Sequence, residues 1–340
     1  MDRAHWTDGS SQYELDLDRA IELARRKGAR RIGIQVPEGL KRAAHAISRQ
    51  IQEATGAEVL ISGDPCYGAC DLDLALCGEV DLMIHLGHAE LGDQASGHPS
   101  NAIFLEARMG SDLAEAAENA VPLLRSRRVG LATTVQHVHK LGRAVDVLKR
   151  HGIEALIGPA CSRAKYPGQV LGCSYCTASA LDVDEYLFLG TGKFHPLGIA
   201  LATGKRVIAT DPVTGLAEEI DTSPILKRRF GAISRAFDAK RIAVLVSKKP
   251  GQRRFELARK MMEMGLAAGK EMSLIYLDNI EPDRLVNLGL DAAVSTACPR
   301  IALDDAAKYK IPVLTPPEFE VLLGKRDWED YAFDEIGEAY

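Results

Sequence analysis

A chain of 340 residues with 46% hydrophobic content has ample material for buried cores, and a formal charge of −5 gives no general attraction for nucleic acid. Its length predicts two domains or three small ones. No apolar run reaches the roughly 20 residues needed to span a bilayer, and the polar start MDRAHWTDGSSQYELD has no signal-peptide core, so a cytoplasmic protein is expected.

In chain order, the first predicted strand is RRIGIQV (30–36), followed by a helical stretch (40–55) with apolar residues every three or four positions. A glycine suited to a helix C-terminus then leads into a second strand within GAEVLIS (56–62). A third strand is predicted at 81–86 and a short fourth at 102–106. The order returns with RRVGLATTV (127–135), a helix at 138–151, GIEALIG (152–158), and strands at 185–190 and 206–210. It returns again with KRIAVLVS (240–247), a helix at 252–269, GKEMSLIYL (269–277), and strands at 292–296 and 312–315. A period of about a hundred residues marks an internal repeat. The expected fold class is α/β: three pseudo-symmetric repeats, each a four-stranded, mostly parallel sheet flanked by helices. The end of the fourth strand and the linker-like PVTGLAEEIDTSP (212–224) divide the chain at 1–108, 109–215 and 216–340.

Functional groups in such sheets collect at the carboxyl ends of the strands. Those ends carry QVPEG (35–39), HLGHAE (85–90), TTVQHVH (133–139), GTGKFHPLG (190–198), SKKPGQ (247–252) and ACPR (297–300). The candidate cofactor-binding residues are Gln35, Gln136, His137, Gly192, His195 and Gln252. Cys70, Cys173 and Cys298 fall one per repeat on the same edge. If the units pack around a common axis, the three thiolates converge on one metal and leave a coordination position open. Thiolates favour an iron–sulfur cluster or zinc and disfavour magnesium.

Seven cysteines without a secretion signal read as reduced thiols or ligands rather than as a disulfide framework. Cys66, Cys77 and Cys161 are expected to be structural. Cys176 forms a CxxC with Cys173 and is a candidate for protecting the cluster, or for a fourth ligand if the metal is structural zinc. The pairs His85/His88 and His137/His139 are expected to support neighbouring groups rather than to ligate metal. The basic clusters at 227–229 and 248–254 are expected to be solvated, with steering of a protein substrate or binding of a substrate carboxylate as the alternative.

The segments YGACDLD, HLGH, TTVQHVHKL, YPGQVLGC, GKFHPLG, SKKPGQ and ACPRIALDD, in this order, resemble the archaeal diphthamide-biosynthesis enzymes that make 2-(3-amino-3-carboxypropyl)histidine. The resemblance spans nearly the whole chain. It implies a homodimer of three-domain subunits packed around a central [4Fe-4S] cluster, with Cys70, Cys173 and Cys298 as its metal ligands. It further implies an unusual radical use of S-adenosylmethionine. Reductive cleavage between the sulfonium and the γ-carbon releases methylthioadenosine, and the 3-amino-3-carboxypropyl group passes to the imidazole carbon of a histidine in translation elongation factor 2. No motif identifies the electron donor, and neither a nucleic acid nor a membrane is implied as a partner. Two other readings of the cysteines are a quinolinate-synthase-like Lewis-acid [4Fe-4S] enzyme and a zinc-stabilised interaction scaffold.

Overall fold

In a computed structural model, which describes residues 5–6, 13–92 and 98–337, the chain is a mixed α/β protein built on three larger sheets. Arg31–Gln35, Glu58–Ile61, Leu82–Gly87 and Ala102–Glu106 form the first, wholly parallel. Arg128–Thr133, Glu154–Ile157, Glu185–Leu189 and Arg206–Thr210 form the parallel part of the second. Arg241–Ser247, Glu271–Leu277, Ala292–Ser295 and Val313–Leu314 form the third. The spatial order is the same each time: second strand, first, third, fourth. The chain therefore reverses direction across each sheet beside its first strand, and this switch point opens a crevice at the carboxyl edge.

The first strands are continuous β-branched or small runs because both their faces are covered. Ile32, Ile34, Val244 and Leu245 are fully buried, and burial of each such side chain contributes about 1.5–3 kcal/mol. Truncating Ile34 to alanine would cost about 2–5 kcal/mol, since the neighbouring Ile47 and Leu82 cannot close the gap fully. Each crossover begins as a short 3-10 turn before becoming α-helical: Glu38–Ala43 before Ala44–Thr55, Val138–Lys140 before Leu141–Arg150, and Pro250–Gln252 before Phe255–Ala267. Gly56, at φ +71°, caps the first of these helices in the left-handed region that a side chain would strain.

Several details differ from the sequence expectation. Each first strand is preceded by a helix that the strand pattern does not announce: Leu17–Lys27, Leu113–Ala120 and Ser223–Arg235. Ala217–Glu219, inside the expected linker, is a strand that pairs antiparallel with Arg206–Thr210, so the second sheet has five strands and runs past residue 215. A further small antiparallel sheet joins His5–Trp6, Tyr13–Asp16 and Arg108–Met109 across the expected first boundary.

The basic clusters are not uniformly solvated. Arg229 is only 1% exposed and forks onto Glu318, with Nε to Oε1 at 2.8 Å, while it also donates to the Val313 carbonyl. Lys249 is buried against Asp71 at 2.6 Å, and the partly buried Arg254 pairs with the buried Asp334 at 2.6 Å. Charges at this depth persist because each is paired and hydrogen-bonded. Among the described residues, no helix is long and apolar enough to cross a membrane.

Candidate metal centre

The three predicted cysteines reach one place from three sheets. Cys70 sits in the loop entering the helix Leu74–Glu79, Cys173 in the tight turn closed by pairing of Leu171 with Ser174, and Cys298 just before the helix Arg300–Leu303. All three line a single cavity of about 200 Å³, together with Gln136, His88, His195, Arg163 and Arg300. The loop after Arg241–Ser247 closes on the Cys70 loop at Gly251. Its amide donates to the Cys70 carbonyl at 3.1 Å, and a Cβ there would lie 2.5 Å from the Cys70 Cα. Only glycine permits that approach. The C-terminal segment holds the second corner: the Ile336 amide donates to the Cys173 carbonyl at 2.7 Å, and the Tyr175 amide to the Glu335 carboxylate at 2.7 Å.

Burial, with the neighbouring Cys173 thiol, pushes the Cys70 thiol up to about 11. The same causes, burial first and then Cys70 and Cys173, push Cys298 up further. Without compensation, Cys70 and Cys298 stay protonated; a bound metal inverts this balance and takes its cysteine ligands as thiolates. Donors are already aimed at the sulfurs. Gln252 Nε2 lies 3.3 Å from Cys70 Sγ, and Arg163 Nη2 lies 3.6 Å from Cys173 Sγ while also donating to the Gly251 carbonyl at 3.0 Å. Soft donors, their number, and N–H groups directed at sulfur suit an iron–sulfur cluster with one metal position unclaimed by protein.

The other sequence candidates separate. Gln136 and His195 face the cavity, and burial lowers His195 to about 4. Gln252 touches Cys70 from behind and is 5% exposed. Gln35 is 2% exposed and absent from the cavity wall, its amide spent on Asp71, Asp73 and His85. His137 is buried outside the cavity, and Gly192 is an exposed turn glycine at φ +78°. Arg163, Arg300 and His88 were not predicted. Arg300 stood in the ACPR segment and His88 in HLGH, but Arg163 had no local signal because its role depends on Cys173 and Gly251.

The remaining thiols also correct the expectation of reduced cysteines. Cys161 and Cys176 form a disulfide across 15 residues of chain, with Cα atoms 6.4 Å apart. The loop from 161 to 176 folds back on itself, and this pairing removes Cys176 as a fourth zinc ligand. Cys66, His85 and His88 place donor atoms within 4.8 Å of one another. Two of those atoms, His85 Nε2 and His88 Nδ1, already bond each other at 2.9 Å.

Fold and site together define an α/β protein of mostly parallel sheets in which three thiols meet on the wall of one cavity beside two arginines. A family model of putative diphthamide synthesis proteins matches residues 36–332. The chain belongs to that family. It is 38% identical over 329 residues to 2-(3-amino-3-carboxypropyl)histidine synthase of Pyrococcus horikoshii, covering 95% of this chain and 94% of that one. The Methanocaldococcus jannaschii protein of the same name is 30% identical, with 96% and 94% covered, and the human protein named as its subunit 1 is 27% identical, with 94% and 74% covered. Among solved structures, Dph2 from Pyrococcus horikoshii with a 4Fe-4S cluster superposes with a TM-score of 0.88 at 37% identity, covering 95% of this chain and 94% of that one.

Proposed function

We propose that this protein is a 2-(3-amino-3-carboxypropyl)histidine synthase, which moves the aminocarboxypropyl group of S-adenosylmethionine to the imidazole carbon of a histidine in translation elongation factor 2, the first step of diphthamide synthesis. The observation that carries the reading is the meeting of Cys70, Cys173 and Cys298 on one cavity wall. Cys70, Cys173 and Cys298 are the residues that hold a [4Fe-4S] cluster, one from each of the units 1–108, 109–215 and 216–340, the second lengthened by its edge strand. Bound there, the cluster supplies the electron that breaks the bond between sulfonium and γ-carbon, with methylthioadenosine as the leaving product.

The chain's own residues supply the rest. Arg163 and Arg300 bring fixed positive charge to the cavity, and Arg163 Nε is buried without a partner among the described residues. These donors suit the methionine carboxylate. Gln136 offers a neutral acceptor to the methionine ammonium, and His195 lies across the same wall. Gln252 holds the Cys70 sulfur, while Gln35 and His137 orient the strand ends behind the cavity and Gly192 lets the next loop turn. The apolar remainder, Ala89, Leu91, Val135 and Val170 among it, limits water around the reacting carbon. The protein works as a cytoplasmic homodimer with an external electron donor.

The test is anaerobic incubation of reconstituted, dithionite-reduced protein with S-adenosylmethionine and elongation factor 2. Methylthioadenosine together with an aminocarboxypropyl adduct on the factor is the expected result. An intact cluster with no cleavage would refute the reading.

A further inference from the structure

A network of four hydrogen bonds fixes where the protons sit on His85 and His88. The Gln35 amide has one orientation available: its Nε2 donates to the Asp71 carbonyl at 2.8 Å, and its Oε1 accepts from the Asp73 amide at 3.2 Å. A carbonyl cannot donate and a backbone N–H cannot accept, so the amide cannot be flipped. His85 Nδ1 lies 3.0 Å from that same Oε1 and must therefore carry a hydrogen. Burial holds His85 neutral, its ring held well below the ordinary histidine range, so its Nε2 is bare. That bare nitrogen lies 2.9 Å from His88 Nδ1, which must donate to it. His88 is neutral too, lowered to about 4 by burial, and its Nε2 is left without a hydrogen.

The position of this ring completes the argument. His88 lines the cavity shared by the three cysteines, whereas His85 lies wholly behind it. No described residue bonds His88 Nε2, so a single lone pair is presented to whatever fills the cavity, on a ring whose other nitrogen is locked. Among the described residues, no aspartate or glutamate lines this cavity. Arg163 and Arg300 are already protonated, Gln136 and Gln169 are not basic, and the three thiols belong to the metal. His195 is the other neutral base, but no hydrogen bond fixes which of its nitrogens is bare.

The transfer needs such a group. It starts from a sulfonium cation and an imidazole C–H. In net terms the C–S electron pair leaves with sulfur as a neutral thioether and the C–H pair becomes the new carbon–carbon bond, because the electron taken up on cleavage is given back when the imidazole adduct regains aromaticity. One proton is left over at each turnover. Resting on the proposed aminocarboxypropyl transfer, we propose that His88 is a catalytic residue that accepts this proton on Nε2. His85 and Gln35 are positioning residues that keep the nitrogen bare by holding His88 Nδ1 as a donor. The charge formed on His88 is met by the lone pair of His85, itself backed by the Gln35 carbonyl oxygen.

Two measurements test this. Nitrogen NMR of metal-free, histidine-labelled protein should show His88 protonated on Nδ1 and bare on Nε2, and Gln35→Leu should release that preference; a hydrogen on His88 Nε2 in the wild type overturns the proposal. With reconstituted holoenzyme and an elongation factor deuterated at the imidazole carbon, His88→Gln should keep methylthioadenosine release within about twofold. Adduct formed per methylthioadenosine should fall by about a hundredfold, and a deuterium effect on adduct formation should appear that the wild type lacks. In His88→Ala, added imidazole should restore adduct without changing methylthioadenosine release. Adduct still coupled to cleavage in His88→Gln overturns this proposal alone. Absence of methylthioadenosine from the wild type overturns the transfer reading and this proposal with it.

Discussion

The Gln252 side chain donates to the sulfur of Cys70 at 3.3 Å, joining a residue from the third sheet's first strand end to a thiol carried by the first sheet. A contact of this kind acts on the metal through its ligand, because N–H groups at thiolate sulfur stabilise the more negative, reduced state.

Gln252→Leu keeps the volume and removes the donor. The expected outcome is a more negative reduction potential with iron content retained, and a loss on the order of 1–2 kcal/mol in cluster stability. A redox titration followed by electron paramagnetic resonance checks it; an unchanged potential would show that the contact does not act on the ligand.

Replacing Cys70, Cys173 or Cys298 singly with alanine should abolish stable cluster binding, since each supplies one of three anchoring thiolates. Cys77→Ala is the matched control. Cys77 is buried in the apolar cluster with Leu72, Val80 and Met83, and its removal should cost stability while iron and sulfide content stay at the wild-type level. Iron and sulfide analysis after anaerobic reconstitution separates the two classes.

The Arg229–Glu318 fork makes a stability prediction unrelated to the metal. Arg229→Met leaves the Glu318 carboxylate in a fully buried site with the Thr315 amide and the Tyr331 hydroxyl as its remaining partners. Loss of about 3–5 kcal/mol is expected in denaturant unfolding, and Arg229→Met with Glu318→Leu should recover part of it. A single variant as stable as the wild type would count against the pair's role.

Acid should destabilise the metal-free protein partly through His137. Burial, aided by His139 and Lys140, lowers this ring from 6.5 to about 4. The unfolded chain then binds more protons between those values, so the stabilising contribution is fully present above pH 6.5 and is lost as pH falls toward 4. Its size is on the order of 3 kcal/mol. His137→Leu should flatten the stability slope in that window relative to the wild type, as read by urea unfolding at successive pH values. Parallel slopes would contradict the assignment.

Strand and crossover positions were legible because they are local. Ala102–Glu106 and Arg206–Thr210 begin and end where the apolar runs do, and the helix before Gly56 stops where a left-handed residue is available. The leading helix Leu113–Ala120 was missed because an alanine-rich segment carries little periodic contrast, and Ala217–Glu219 because an edge strand of three residues needs only a neighbouring strand to pair with.

By itself the sequence determined the alternation of strands and helices, the three cysteines at strand-end loops, and the resemblance that names a chemistry for them. Only the tertiary structure decided that Arg163 meets both Cys173 and Gly251, that Cys176 is taken by Cys161, and that Arg229 is buried rather than solvated. It also decided the bare nitrogen of His88, which depends on Asp71 and Asp73 acting through Gln35 and His85. The physical reason is range. Periodicity and capping are settled within a few residues, whereas a side chain's partner and proton are set by groups that packing brings from far along the chain.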